Sequence, residues 1–167
     1  MNLRYKPGLR AIKTSIAVFL CLLISVIFKR SDILLASIAS IICLQPTDTQ
    51  TYQEGLNRTI GTLLGGGIGY LILLCTQSLN SSKYVNIFLA PIAILLIIYI
   101  CNVINRSDSI VIGCIVVLSV LMWTYQTISD PFMYVVDRVI DTSIGIFVAI
   151  FINKFLFIKH NKKHNNK

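Results

Sequence analysis

Charged side chains are scarce in this 167-residue chain. Only 13% of the residues are Asp, Glu, Lys or Arg, whereas 55% are hydrophobic and the mean hydropathy is +0.76. Soluble domains carry roughly 25% charged residues, so this chain has too little polar surface to cover a core in water. A soluble globular protein is therefore excluded, and the composition predicts an integral membrane protein whose first partner is the lipid bilayer. The length is that of a single domain.

The patterns that bind metals or form disulfides are missing as well. Five cysteines lie singly inside apolar runs with no Cys-x-x-Cys pair, and both histidines, His160 and His164, lie in a Lys/Asn-rich tail. Isolated buried thiols behave as small hydrophobic side chains. We therefore expect no metal site, no disulfide framework and no cofactor. No nucleophile–base pair is visible either, so we expect no catalytic residues and no enzyme activity.

Acidic residues are few, 7 against 15 Lys and Arg, which leaves a net charge of +8. The basic residues cluster at the two ends, with four in the first 13 positions and five in the last 14. No nucleic-acid recognition motif accompanies them, so we expect no nucleic acid as a partner. Clusters of this kind are typical of the cytoplasmic flanks of membrane helices.

The same rule predicts the orientation. With the N-terminus inside, eleven basic residues fall on the inner side and four on the outer side, namely Lys29, Arg30, Lys83 and Arg138. We therefore expect a multi-pass protein of the cell membrane with both termini in the cytoplasm.

Apolar segments predict an all-α membrane protein, a six-helix transmembrane bundle within a single transmembrane domain over residues 1–158. A basic cytoplasmic tail follows over residues 159–167. The segments cover about residues 14–28, 33–45, 60–79, 85–104, 109–125 and 139–158. A complete span needs about 20 residues, so the second segment is ambiguous and is either a short tilted span or a broken helix. Residues 46–57 and 126–138 are expected to be a polar connection and an interfacial turn.

Two stretches of the chain are similar to each other. The sequence "RTIGTLLGGGIGY" begins at Arg58, and "RVIDTSIGIFVAIF" begins 80 positions later at Arg138. An Arg-Ser-Asp triplet at 30–32 likewise returns at 106–108. These echoes favour two three-helix repeats, the second inverted because three is an odd number, as in many transporter folds. Coincidence in an isoleucine-rich chain is the alternative.

Glycines recur on one face of the third segment. Gly61, Gly65 and Gly69 are spaced by four, and Gly145 occupies the corresponding place in the second copy. This small-xxx-small spacing lets two helix backbones approach closely. Two interpretations remain open: a packing face within or between subunits, and a mobile helix that lines a cavity.

Three charged residues flank or enter the repeated segments. Arg58 and Arg138 each precede a threonine by one turn. Each is either an interfacial anchor paired with an acid on the same helix or a contact for a carboxylate, whose geometry the guanidinium fork matches. Asp141 lies inside the sixth segment, where a charge is costly and commonly marks a pathway or proton relay. Pairing with Arg138 at the interface is the alternative for this residue.

Four stretches carry a further signal: "GLRAIKTSIAVFLCLLI", "CLQPT" at 43–47, "GLNRTIGTLLGGGIG" at 55–69 and "DRVIDTSIGIFVA" at 137–149. Together they resemble the aromatic acid exporter / fusaric acid resistance family of membrane transporters. The resemblance implies a six-helix membrane domain that exports aromatic or other organic acids. Larger members of that family carry a second membrane half or a cytoplasmic domain. This chain shows neither, so the resemblance leads us to expect assembly from more than one copy, a homo-oligomer.

The function expected on these grounds is efflux of small organic anions, including aromatic carboxylates, coupled to protons. The substrate contacts would be Arg58, Arg138, Thr62 and Thr142, the proton-coupling acid Asp141, and the helix-packing residues Gly61, Gly65, Gly69 and Gly145. The alternative is a non-transporting membrane scaffold, or an accessory subunit of a larger assembly, in which all of these residues serve packing.

Overall fold

The computed structural model describes residues 9–29, 33–78, 85–123 and 130–164, and these residues are helical without a strand. The six α-helices are α1 (Leu9–Ile27), α2 (Ile33–Cys43), α3 (Asp48–Ser78), α4 (Val85–Val103), α5 (Ile110–Trp123) and α6 (Pro131–His164), with a short 3-10 turn at Ser107–Ser109. The number of helices predicted from the apolar segments is confirmed. Arg30 and Lys83, two of the expected outer-side cations, lie outside the described residues, as does the first Arg-Ser-Asp triplet.

Two helices in the described part of the chain, α3 and α4, are long and apolar enough to cross a bilayer on their own. The surface of α4 is consistent with lipid contact, since Phe88, Leu95 and Tyr99 are all largely exposed. Large contiguous apolar surfaces are unusual on proteins surrounded by water. Together these features indicate a membrane protein.

Helix α2 is short. Its 11 residues correspond to a rise of about 16 Å, whereas the hydrocarbon core of a bilayer is roughly 30 Å thick. The helix ends at Cys43, two residues before the predicted end of the second segment, and Leu44–Thr47 separates it from α3. By itself, α2 is too short to cross the hydrocarbon core.

Helix α3 begins at Asp48, twelve residues before the apolar segment that predicted it. The expectation of a non-helical polar connection over residues 46–57 is therefore wrong from Asp48 onward. The reason is a capping box: the Thr47 hydroxyl accepts the backbone N–H of Gln50 at 3.3 Å, and a Thr-x-x-Gln sequence at a helix start satisfies donors that the helix leaves open. The negative charge of Asp48 in the first turn also stabilises the helix by interacting with the positive end of its dipole.

Helix α6 likewise begins earlier than its apolar segment, at Pro131 instead of about 139. The expected interfacial turn over residues 126–138 is thus helical in its second half, and residues 124–129 lie outside the described part. Proline is favoured at the first helical position because its fixed φ suits a helix and no N–H is needed there. Tyr134 N–H closes the first turn on the carbonyl of Asp130 at 3.3 Å.

The chain divides into two compact units, and both divisions fall inside continuous helices. The first unit contains residues 1–55 and 141–167, so it combines α1, α2, the start of α3 and most of α6. Helix α1 packs on α2. The core of the first unit lies where these two helices meet α6. It is small and contains Ala17, Cys21, Ala36, Cys43, Leu44, Val148, Ala149 and Ile152.

The second unit contains residues 56–140, which are most of α3, then α4, α5 and the first turns of α6. Helix α4 packs on α5. The core holds larger side chains than that of the first unit, including Leu73, Ile97, Val117, Val120, Leu121 and Tyr134. Each unit therefore has a hydrophobic core of its own.

Two residues outside glycine adopt positive φ in the described part of the chain, Lys29 (φ 49°) and Asn105 (φ 55°). They end α1 and α4, and each directly precedes an Arg-Ser-Asp triplet. At the end of α4, the N–H of Arg106 returns to the carbonyl of Cys101 at 2.9 Å, the bond that closes a left-handed helix end. The same backbone conformation therefore recurs 76 positions apart.

Candidate functional site

The glycine face of α3 lies against α5 in the second unit. A Cβ atom at Gly61 would stand 2.7 Å from the carbonyl oxygen of Ser109, and one at Gly65 would meet the carbonyl oxygen of Gly113. The contact continues at Gly69, which packs against α5 side chains. Residue numbers rise together along the two helices, so α3 and α5 run parallel with their backbones in contact. Glycine is what permits this approach.

Gly145 makes a similar contact in the first unit. A Cβ atom there would meet the carbonyl oxygen of Ala36 and the Cβ of Ala39, and would stand 3.1 Å from the backbone nitrogen of Ser40. Helix α6 therefore touches α2 through a glycine, just as α3 touches α5.

Two of the predicted substrate contacts, Arg58 and Thr62, lie one turn apart on α3 in the second unit. Their side chains are only 8% and 2% exposed. Thr62 lies between Gly61, which faces Ser109, and Gly66, whose added Cβ would stand 2.8 Å from Val135 of α6. The strip of α3 that carries Arg58 and Thr62 thus runs between the residues that touch α5 and those that touch α6.

A polar group joins the turn before α5 to α3. Arg106 donates from Nη1 to Oδ1 of the buried Asn57, and Asn57 donates from Nδ2 to Oδ2 of Asp108, each at 3.4 Å. The second Arg-Ser-Asp triplet therefore contacts α3 one turn below the glycine face. Arg106 and Asp108 are themselves exposed.

Arg138 is held against an aromatic ring in the second unit. Its Cζ lies 4.5 Å from the centroid of the Tyr134 ring, in cation–π geometry, and Tyr134 is buried. Tyr70 of α3 meets Phe132 of α6 edge to face, with ring centroids 5.8 Å apart. A cation–π contact with a buried ring restricts the movement of the guanidinium.

The two remaining polar residues of the predicted site belong to the first unit. Asp141 is 2% exposed, and Thr142, the next residue along α6, is also buried. The predicted set thus falls into two groups: Arg58, Thr62 and Arg138 in the second unit, and Asp141 and Thr142 in the first.

A buried polar cluster in the first unit surrounds the break between α2 and α3. Asn153 donates from Nδ2 to the hydroxyl of Thr51 at 2.9 Å and to the carbonyl of Gln45 at 3.3 Å, and its Oδ1 accepts from Nζ of Lys13 at 3.2 Å. The Thr51 hydroxyl also accepts the N–H of Gln45 at 3.1 Å. Buried backbone outside a helix needs hydrogen-bond partners from elsewhere in the protein, and Asn153 and Thr51 supply them to Gln45.

Sequence reasoning missed this cluster. Asn153 was absorbed into the last apolar segment, and Thr51 was assigned to a connection rather than a helix. A usable signal was present, because a lone amide in an apolar helix commonly accompanies unpaired backbone on a neighbouring element.

Comparison with known protein families gives a match over most of the chain. The model of the family described as aromatic acid exporter family member 1 matches residues 5–156. No curated protein matches, and no solved structure does. The match covers all of the contacts described above and stops before the last turns of α6. It confirms the resemblance noted in the sequence. The chain belongs to the aromatic acid exporter family.

Proposed function

We propose that the protein exports small organic anions, aromatic carboxylates among them, across the cell membrane in exchange for protons. Family membership supports a membrane exporter of aromatic acids. The proposal adds the residues: Arg58, Arg138, Thr62 and Thr142 contact the anion during the cycle, and Asp141 carries the proton.

The observation that carries this proposal is the burial of opposite charges in apolar helices. Arg58 is buried in the second unit and Asp141 in the first, each with less than a tenth of its surface exposed. A charge buried at membrane depth is costly, and it commonly marks a substrate pathway or proton relay. Helix packing alone would require neither of these charged side chains.

The geometry of Arg138 supports anion binding. Its Cζ lies over the buried Tyr134 ring, 4.5 Å from the centroid, and this contact restricts the movement of the guanidinium before any ligand arrives. Guanidinium groups bind carboxylates through two parallel N–H···O bonds, and a group whose orientation is already restricted loses less entropy on forming them.

An inverted repeat is part of the proposal. It is supported by the shared left-handed ends at Lys29 and Asn105 and by the matching glycine contacts of Gly65 on α5 and Gly145 on α2. Transporters built from inverted repeats expose one site alternately to the two sides of the membrane.

Six crossings with both termini in the cytoplasm place Lys29 outside and Asp48 inside. Single cysteines are placed at these two exposed positions in a background that lacks the native cysteines. A membrane-impermeant maleimide should label position 29 in intact cells and position 48 only after the cells are permeabilised. A cysteine at Asn105 is the control and should behave like the one at Asp48. Labelling of positions 29 and 48 from the same side would show that the α2 region does not cross.

The proposed activity is tested by flux in proteoliposomes. Purified protein should move radiolabelled benzoate faster with an imposed proton gradient than without one. We expect Arg58→Gln to lower that flux roughly tenfold or more, because a lost charged hydrogen bond weakens binding by that order. Arg106→Gln is the matched control, since it removes an exposed arginine from the same unit.

Absence of flux for every carboxylate in a panel, from protein shown to be folded, would contradict the proposal. Equal flux from the Arg58→Gln and Arg106→Gln proteins would remove Arg58 from the anion path.

A further inference from the structure

Two buried hydroxyl groups in the second unit depart from the behaviour of the others. Hydroxyls in helices ordinarily bond to a carbonyl three or four residues earlier on the same helix. Ser15, Ser40, Thr76 and Ser119 follow this rule, bonding to the carbonyls of Ala11, Ser37, Leu73 and Val116 at 2.8–3.0 Å. The hydroxyls of Thr62 and Ser109 have no partner in the described part of the chain, although the two residues are 2% and 0% exposed.

These two residues lie at one level of the α3–α5 contact. Gly61 directly precedes Thr62, and a Cβ atom at Gly61 would stand 2.7 Å from the carbonyl oxygen of Ser109. One hydroxyl therefore belongs to α3 and the other to the 3-10 turn that leads into α5, at a level where the two backbones touch. Burying a hydroxyl without a partner destabilises a protein, and here it happens twice in the same place.

The positive charge of Arg58 indicates which kind of ligand these hydroxyls bind. Arg58 precedes Thr62 by one turn on the same side of α3 and is itself buried. A buried guanidinium repels a metal cation and attracts an anion. With the hydroxyls of Thr62, one turn along the helix, and Ser109, which faces Gly61, it makes a donor set suited to the oxygens of a carboxylate.

We propose that the Thr62 and Ser109 hydroxyls, with Arg58, form a subsite that binds the carboxylate group of the exported anion inside the second unit. The inference rests on the proposed function and adds Ser109, a residue that no sequence pattern singled out. Neither hydroxyl has a bonding partner among the residues that the structure describes, and the bound carboxylate accepts a hydrogen bond from each of them.

The test measures both benzoate affinity and thermal stability, because removing a hydroxyl from the subsite should lower the first and raise the second. Ser109→Ala and Thr62→Val each remove one hydroxyl. Each should weaken binding of benzoate to the purified full-length protein roughly tenfold, and the double variant roughly a hundredfold. In anion-free buffer, Ser109→Ala should raise the unfolding temperature by about 2–4 °C, since it removes an unsatisfied buried group.

Matched controls are available on the same two helices. Ser119→Ala on α5 and Thr76→Val on α3 remove hydroxyls that already bond to a carbonyl of their own helix. We expect both to leave benzoate affinity unchanged and neither to raise the unfolding temperature. Benzyl alcohol, which keeps the ring and lacks the carboxylate, should bind the wild type and Ser109→Ala proteins alike, and acetate should lose affinity in the variants as benzoate does.

Three results would overturn the subsite. Unchanged benzoate affinity in both Ser109→Ala and Thr62→Val would do so while leaving the proposed export function standing. A fall in the unfolding temperature of Ser109→Ala in anion-free buffer would show that the hydroxyl is already bonded, by water, in the resting protein. Failure of the wild type to bind any carboxylate would remove the subsite and the proposed function together.

Discussion

Leucine at position 65 is expected to prevent the second unit from folding. The Cβ atom alone would meet the carbonyl oxygen of Gly113 and stand 3.0 Å from Cβ of Val116, so the obstacle is the backbone of α5 rather than the end of a flexible side chain. Overpacking of a well-packed interior costs about 1–3 kcal/mol, and alanine already incurs it here. Leucine adds three further carbons. The cost of accommodating them then approaches the whole net stability of a domain, about 5–15 kcal/mol.

The measurement is the yield of monodisperse protein in detergent and its unfolding temperature. Gly67→Leu is the matched control, because an added Cβ at this exposed position of the same helix meets nothing within 4 Å. It changes helix propensity and hydrophobicity as Gly65→Leu does, yet it should leave yield and stability near those of the wild type. Normal yield of the Gly65→Leu protein would contradict the close approach of α3 and α5.

Asparagine at position 141 is expected to abolish flux driven by a proton gradient. Asp141 is buried in the first unit, and asparagine keeps its size and much of its hydrogen bonding but cannot release or take up a proton. Exchange of labelled for unlabelled benzoate at equal pH on both sides should persist, since it needs no net proton movement. Proteoliposome assays of both reactions, on the same preparation, separate loss of coupling from loss of folding.

Asp137→Asn is the control for this prediction. Asp137 is an acid one turn earlier on α6, only half-buried, and its replacement should leave gradient-driven flux near that of the wild type. If the Asp141→Asn protein keeps normal pH-dependent flux, Asp141 has no coupling role. If exchange disappears together with gradient-driven flux, the residue serves binding or stability instead.

The apolar segments predicted the existence and number of the helices because each segment is long and uninterrupted. The starts of α3 and α6 were misplaced because hydropathy detects lipid burial, not helix formation: the start of α3 is polar, and that of α6 mixes apolar and charged residues behind a proline. Local signals for them were present in the Thr47–Gln50 capping box and in Pro131 at the first helical position. Helix ends are decided by such capping chemistry, and an apolar window averages over it.

The partners of the glycines could not be predicted from spacing. A face of small residues predicts close packing, but the backbone that fills it, α5 for Gly65 and α2 for Gly145, depends on how the helices associate. Ser109 was hidden for the same reason. A serine at a helix start is ordinary, and the absence of a bonding partner for its hydroxyl becomes visible only when α3 lies against it.

The division of the chain between its two units has a consequence for biosynthesis. The second unit is continuous, residues 56–140, whereas the first needs residues 1–55 together with 141–167. Domains generally form in the order in which the ribosome makes them. In this chain the later-starting unit is complete first, and α1 and α2 lack their packing partner until residues 141–167 of α6 are made. During that interval Ala36 and Ala39 lack the glycine that packs against them, and the Gln45 backbone lacks the amide of Asn153. The α1–α2 pair is therefore the part of the nascent protein most exposed to quality-control proteases.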